Sequence, residues 1–180
     1  MKIKKNKESE GIYMSNAEEV RKLKRSEYAT FLDTTPTEDA ETYTRMGKGI
    51  SEMEESYNPE EESEQYIDED TPTNSVESYS PAFDASQRCY LGEKIFEFVD
   101  EMRMKLATGS DAETSALKVY LYRKLAENTY KAQKINCTIV INSFSGKEIG
   151  YAVKQNGNPT DGYVTIAAGK VTFTAGEYTA

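Results

Sequence analysis

Two cysteines, Cys89 and Cys137, are the strongest nucleophiles in this chain of 180 residues. A catalytic thiol needs a neighbouring base, most often histidine, and the sequence contains no histidine. The G-x-S-x-G motif that presents a catalytic serine is also absent. Cys137 falls on the apolar side of an alternating strand, where a small hydrophobic thiol is expected. We therefore predict two buried thiols and no enzymatic activity.

Carboxylates are concentrated between residues 51 and 70, where the chain carries ten acidic residues and no basic one. Their spacing does not match an EF-hand loop, which needs alternating ligands, a central glycine and a terminal glutamate, so we expect no metal and no cofactor. A solvated tail rarely keeps apolar side chains, and this segment is predicted to meet a partner while it repels anions. Its apolar residues are Met53, Tyr57, Tyr66 and Ile67.

The charge of the whole chain limits its partners. The formal net charge is -9 and the isoelectric point is about 4.8. A surface that grips phosphate needs clustered lysine and arginine, so tight nucleic-acid binding is disfavoured, although an acidic wall along which DNA slides remains compatible. The chain has no apolar run of the roughly 18 residues that a membrane span needs. Because residues 1–7 also lack an apolar signal segment, we expect a soluble protein made in the cytoplasm.

Most of the elements that position these residues are predicted strands. Residues 28–32 and 42–46 are rich in aromatic and β-branched side chains, and we expect these two runs to pair. Further strand pieces are predicted at residues 65–67 and 75–79, separated by the turn-prone residues 70–74. After residue 112 apolar and polar residues alternate, as in strands with two different faces. The alternating apolar positions are Leu117, Val119, Leu121, Ile135, Cys137, Ile139 and Ile141.

Turn signals divide the last part of the chain. Asn156-Gly157-Asn158-Pro159 and Gly169-Lys170 contain the residues that favour tight turns. We therefore predict a meander of short strands at residues 149–153, 163–167 and 171–173.

One amphipathic helix is predicted in the middle of the chain. Acidic residues come early in it and basic residues late, which complements the helix dipole, and Gly109 supplies a stop signal. We expect its apolar stripe to pack onto a sheet. The stripe consists of Ile95, Phe98, Val99, Met102 and Leu106.

The chain is predicted to consist of a flexible basic N-terminal arm, residues 1–25, and a β domain, residues 26–180, with an acidic loop at about 47–66. Ser15 and Glu18 match a capping box, so the arm forms either one or two turns of basic helix or a frayed extension. An arm and a loop of opposite charge can use exposed sheet edges to join identical copies, and we infer homo-assembly.

Several segments also occur in an order that is itself informative. They are residues 25–32, 47–52, 57–60, 66–69, 76–81, the helix at 92–104, and 109–113. In this order of segments the chain resembles the major tail protein, or tail-tube protein, of long-tailed, non-contractile bacteriophages. The resemblance covers roughly residues 15–180 and is one of pattern, not of a catalytic signature.

The resemblance implies a mainly β (α+β) fold, a tail-tube-type β-sandwich or barrel with one flanking α-helix, a long loop and an N-terminal arm. It further implies a structural virion protein whose hexameric rings stack into the tail tube that conducts DNA during ejection. Implied partners are other copies of the chain, a tape-measure protein, a tail terminator and a distal tail protein, with transient passage of DNA and no membrane. The protein would be located in the virion, and in the host cytoplasm during assembly.

Eight residues are candidates for self-assembly contacts. They lie in the basic arm and in the acidic loop, which in the implied tube would meet neighbouring subunits; one hypothesis pairs the acidic segment with the basic residues of an adjacent copy. The candidates are Arg21, Lys22, Lys24, Arg25, Glu54, Tyr57, Asn58 and Tyr66. Alternatives are the inner tube of a contractile tail or injection system, and a β-sandwich binding module for carbohydrate or protein. Sugar-binding sites favour tryptophan for stacking, and the chain has none, which weighs against the module.

Overall fold

The computed structural model describes residues 20–179, and within this range the chain forms ten β-strands and one α-helix. Two short 3₁₀ turns, Arg25–Glu27 and Gly109–Ala112, precede β1 and β7. The elements in chain order are β1 (Tyr28–Asp33), β2 (Tyr43–Arg45), β3 (Ile50–Ser56), β4 (Pro59–Glu64), β5 (Thr73–Tyr79), β6 (Ala82–Arg88), α1 (Lys94–Lys105), β7 (Glu113–Ala126), β8 (Thr129–Phe144), β9 (Glu148–Ala167) and β10 (Lys170–Ala175).

Eight of these strands form one antiparallel sheet in the order β2-β1-β7-β8-β9-β6-β3, with β10 also paired to β9. The 20-residue strand β9 follows β8 along most of its length. Its first part pairs with β6 over residues 148–154, and its last part pairs with β10 over residues 162–167. Strands β4 and β5 form a separate two-stranded hairpin.

The curled sheet buries a hydrophobic core on each of its faces, which explains why successive residues of β7 are buried. Ala116 belongs to the first core and its neighbour Leu117 to the second. Helix α1 packs on the first core together with β3 and β6, whereas the second core lies among β1, β2, β7, β8, β9 and β10. The architecture is therefore a mainly β, α+β fold, as the sequence predicted.

Helix α1 lies close to its predicted position, and its buried side chains are Ile95, Phe96, Val99 and Met102. The side chain of Glu93 caps the N-terminus by accepting a hydrogen bond from the Phe96 amide. The C-terminus differs from the prediction: Leu106, not Gly109, ends the helix in a left-handed conformation with φ of 49°, and its side chain is 80% exposed. The apolar stripe thus ends at Met102.

Several strand predictions are confirmed. β1 and β2 pair in antiparallel fashion, and the alternating run at residues 135–141 lies in β8. The run at residues 117–122 lies in β7, but Lys118, expected on the outer face, is buried there because β7 contacts both cores. On β8, Ile135, Cys137 and Ile139 are all buried, as the period of two requires.

Other expectations about the strands were wrong. The acidic segment predicted as a loop forms β3 and β4, because cross-strand pairing with β6 and β5 overrides the low strand propensity of glutamate. Residues 65–67 lie in the turn of the β4–β5 hairpin and not in a strand. No turn interrupts β9 at Gly157, where the left-handed backbone is accommodated beside an irregular step in the β8–β9 register.

The N-terminal helix prediction starts at Ser15 and so falls largely on residues 1–19, outside the described residues. Residues 20–24 of that prediction are described and carry no helix.

Candidate self-assembly interface

The β4–β5 hairpin projects from the domain as a continuation of β3 and β6, and every residue of its two strands is exposed. The break between β3 and β4 lies at Asn58, which has a left-handed backbone with φ of 43°. Asparagine tolerates this conformation well. Its side-chain amide donates a hydrogen bond of 3.0 Å to the Ser80 carbonyl oxygen. This bond links the β3–β4 junction to the β5–β6 junction, so the two sides of the hairpin stay joined at its base.

The hairpin combines acidic and apolar side chains on its surface. No lysine or arginine occurs between Lys48 and Arg88, so the whole extension is anionic. Ile67 is fully exposed and Tyr66 is 59% exposed in the turn that joins the strands. Exposed apolar groups that recur on one extension are typical of an interaction surface. Further exposed apolar residues along the hairpin are Tyr57, Val76 and Tyr79.

A concave site of about 470 Å³, the tyrosine pocket, lies at the base of the hairpin. The Tyr28 and Tyr120 rings stack with their centroids 5.6 Å apart, and Tyr122 meets Tyr120 edge-on at 5.9 Å. Such ring pairs stabilise one another beyond the effect of burial alone. The lining residues are Leu23, Lys24, Arg25, Tyr28, Glu55, Tyr57, Tyr120 and Tyr122.

Glu55 forms the floor of the tyrosine pocket. Its carboxylate accepts hydrogen bonds of 2.6 Å from the Tyr28 hydroxyl and 2.6 Å from the Lys118 ammonium group, and Lys118 also donates to Gln155. The Glu55 and Lys118 side chains are 11% and 5% exposed. Each buried charge is thus paired, as burial requires.

The same surroundings raise the pKa values of three pocket tyrosines, Tyr28, Tyr57 and Tyr120. Burial, followed by the hydrogen bond to Glu55, raises the pKa of Tyr28 well above its usual range. Burial and the nearby Glu55 charge raise the pKa of Tyr120 to about 12, and the same two causes raise the pKa of Tyr57. These rings therefore stay neutral at physiological pH and act as apolar walls with hydroxyl tips.

Residues 21–25, the basic segment, form the rim of the tyrosine pocket. Arg21 donates two hydrogen bonds, of 2.7 and 2.8 Å, to the Glu27 carboxylate. These bonds, with one from the Lys24 backbone amide, lower the pKa of Glu27 to about 2. The Arg25 guanidinium lies 5.9 Å from the centre of the Tyr28 ring and donates to the Tyr28 carbonyl oxygen. The segment is therefore held on the pocket while Lys22 and Lys24 remain exposed.

The structure brings some of the predicted assembly residues together and separates others. Lys24, Arg25 and Tyr57 line the tyrosine pocket, and Arg21 and Lys22 belong to the same basic segment. The remaining candidates lie elsewhere: Asn58 at the break in the hairpin, Tyr66 in its turn, and Glu54 on β3 opposite Asp84 of β6.

Sequence reasoning missed most of the pocket. The missed residues are Leu23, Tyr28, Glu55, Lys118, Tyr120 and Tyr122. One signal was available, because Tyr120 and Tyr122 are two positions apart on a strand and so share a face. Nothing in the local sequence pointed to the partner of Lys118, because Glu55 lies 63 positions away.

A second, larger concavity is an open polar cleft of about 1260 Å³. It lies between the β1–β2 loop, α1, and the strands β7 and β8. Lys134 and Glu41 form an ion pair across it. Its other charged lining residues are Asp33, Glu38, Asp39, Glu101, Lys105, Asp111 and Glu113.

No family model matches the chain, and no curated protein matches it in sequence. Among residues 20–179, no three or more cysteine, aspartate or glutamate side chains are grouped so that they could hold a metal ion. Over the same range, no helix has both the length and the apolar character needed to cross a membrane.

Proposed function

We propose that this chain is a non-enzymatic structural protein that self-assembles, and that its assembled form is the tube of a phage tail. The observation that carries the proposal is the β4–β5 hairpin, whose two strands are exposed at every residue. The hairpin leaves Tyr66 and Ile67 in solvent far from either core. Contacts between copies would bury the apolar side chains that this extension leaves in solvent.

The energetics of the hairpin support a contact role. A two-stranded hairpin is marginally stable in water, because ordering its backbone costs about 1–2 kcal/mol per residue and few groups are buried in return. The hairpin is stabilised locally by the backbone pairing of β4 with β5 and by the hydrogen bond that the Ser78 hydroxyl donates to Glu60. Burial of its apolar side chains against a second molecule would add the missing stabilisation.

The charge distribution supports a conduit for DNA. Glu52 and Glu54 on β3 are exposed, and β4 adds four further carboxylates. A wall rich in lysine would hold DNA by releasing its counterions, whereas carboxylates repel phosphate. Acidic strands that face a bore would therefore let a genome pass without binding it.

Negative-stain electron microscopy of the purified chain, with sedimentation velocity, tests the proposal. We expect hollow tubes or rings whose abundance rises with protein concentration. A variant in which a short Gly-Ser turn replaces residues 59–79 should keep its fold, since it loses no residue of either core, yet should stay monomeric. A wild-type chain that stays monomeric at every concentration and salt would contradict self-assembly.

The polar cleft favours a second candidate function, a binding module. Its volume of about 1260 Å³ leaves room for a ligand, and its charged lining suits a polar one. Glycan-array and peptide-library binding by a strictly monomeric chain would favour this candidate over the tube.

A further inference from the structure

We infer that the tyrosine pocket of one copy receives the hairpin tip, residues 64–70, of the next copy. This inference rests on the proposed self-assembly and names the contact that would drive it. The tip is acidic with two apolar side chains, and the pocket is apolar with a basic rim. The two surfaces are therefore complementary in both charge and polarity.

The hairpin tip presents its apolar residues in a defined turn. The Glu69 amide donates a hydrogen bond of 3.0 Å to the Tyr66 carbonyl oxygen, and the Gln65 side chain donates to the Glu69 carbonyl oxygen. The Tyr66 hydroxyl donates to Glu64 at 2.8 Å. These bonds fix the turn while Ile67 stays fully exposed at its outer end. The surrounding carboxylates are Glu64, Asp68, Glu69 and Asp70.

The tyrosine pocket offers a matching surface. Its volume of about 470 Å³ is in the range of pockets that bury small ligands, about 300–1,000 Å³, and can take two side chains. Because Lys118 neutralises Glu55, the net charge of the pocket comes from Lys24 and Arg25 and is positive. Such a site would bind apolar side chains that have carboxylates beside them.

A molecule cannot fill its own tyrosine pocket with its own hairpin tip. Tyr57 lines the pocket at the base of the hairpin, and β4 runs from there through six residues to Glu64. At about 3.3 Å per residue, the strand holds the tip about 20 Å from the base. The paired strands β4 and β5 cannot fold back over that length without breaking their ladder. Only a second copy can supply the tip.

The separation of tip and pocket determines the kind of assembly. The two surfaces differ and lie at opposite ends of one extension, so the contact is head-to-tail. Each copy has one tip and one pocket, and every bound copy offers a free tip for the next. Head-to-tail contacts produce closed rings or open helical arrays, whereas a self-complementary patch would stop at a dimer.

Complementation between two variants tests this contact. The tip variant carries Tyr66→Ser and Ile67→Ser, and the pocket variant carries Leu23→Ser and Tyr122→Ser. A matched control carries Leu91→Ser and Met104→Ser, which also removes two exposed apolar side chains but none from the tip or the pocket lining. Sedimentation velocity of each protein, and of equimolar mixtures, gives the species present.

We expect the wild type and the control to form large assemblies, and each variant alone to need at least tenfold more protein. A mixture of tip and pocket variants keeps one intact tip and one intact pocket per pair, so it should form heterodimers and nothing longer. If either variant assembles like the wild type, or the mixture forms no heterodimer, the contact is wrong while self-assembly stands. If the wild type itself does not assemble, the proposed function fails as well.

Disulfide trapping gives a second, independent readout. In a Cys89→Ser background, a chain with Ile67→Cys is mixed with a chain with Ser26→Cys, an exposed position beside the pocket residue Arg25 and outside the pocket lining, and the mixture is oxidised. Cross-linked heterodimers are expected, because a disulfide forms only when the two Cα atoms come within about 7 Å. The control replaces Ile67→Cys with Val76→Cys, on the shaft of the hairpin, and should stay uncrosslinked. Equal cross-linking of both pairs would overturn the tip-to-pocket contact.

Discussion

Lys118 of β7 and Glu55 of β3 form a salt bridge with 2.6 Å between Nζ and Oε1. Three strands, β8, β9 and β6, lie between them in the sheet order, because β3 is the last strand and β7 is the third from the other end. The two side chains can meet only because the sheet curls around the first core. The pair thus links β7 to β3 on the inner side of the curled sheet and supports the floor of the tyrosine pocket.

Removing one partner of this salt bridge should cost more than removing both. Glu55→Gln leaves a buried lysine without its counter-charge, and we expect a loss of about 3–5 kcal/mol in the free energy of unfolding. The double variant Glu55→Gln with Lys118→Met should recover most of that loss, because no unpaired charge remains. Urea unfolding at protein concentrations too low for assembly measures the free energy of unfolding of both variants. Additive losses in the double variant would contradict the pairing.

The free energy of unfolding should fall in alkaline solution because of Cys137. Burial raises the pKa of its thiol to about 12, whereas a thiol in an unfolded chain titrates near about 8.5. Above that lower pKa the unfolded state loses its proton first, so stability declines between the two pKa values by up to about 1.4 kcal/mol per pH unit. Between pH 8 and pH 9.5, Cys89 and the buried tyrosines, whose pKa values are also raised, add to the decline in wild type and variant alike, so the difference between the two proteins isolates Cys137. Cys137→Ala should show a shallower decline, and an equal decline would contradict the assignment.

Gly162 should tolerate no side chain. A Cβ atom at this position would lie 2.2 Å from the Thr174 carbonyl oxygen and 2.7 Å from the Phe173 ring. Because the first of these contacts is with backbone, β10 has to shift, and we expect Gly162→Ala to cost about 1–3 kcal/mol. Gly47→Ala is the matched control, since no atom lies within 4 Å of its Cβ position. Urea unfolding of the two variants should separate them clearly.

Leu106→Gly should stabilise the protein. Leu106 ends α1 with a left-handed backbone, which costs an L-residue about 1–2 kcal/mol, and its exposed side chain gains little in return. We expect a rise of about 1 kcal/mol in the free energy of unfolding. Met104→Gly, inside the same helix and also exposed, should instead cost about 1 kcal/mol. A loss in both variants would show that Leu106 has a packing role.

Local patterns predicted those elements whose buried residues repeat along the chain. The period of two in β8 is visible in Ile135, Cys137 and Ile139, and the helical period in α1 is visible in Ile95, Val99 and Met102. In each case burial follows directly from a repeat that the sequence displays. The pairing of β1 with β2 was predictable for a similar reason, since a single short loop joins two strand-like runs.

Elements and site residues that depend on distant partners were not predictable in this way. Strand β3 is acidic, and its partner β6 is reached only after the whole β4–β5 hairpin. Gly157 is a turn signal in sequence, but pairing on both sides carries β9 through it. The tyrosine pocket joins residues from three separate segments, 23–28, 55–57 and 120–122, so only the curl of the sheet assembles it.

The hairpin has a mechanical consequence that follows from its continuity with β3 and β6. Any tension on residues 64–70 is transmitted along β6 to its ladder with β9, from Ala82 paired to Lys154 through Arg88 paired to Glu148. Ladder bonds lie perpendicular to the strands, so such a pull loads all of these pairs together in shear, not one after another as in peeling. A joint built in this way resists being drawn apart lengthwise.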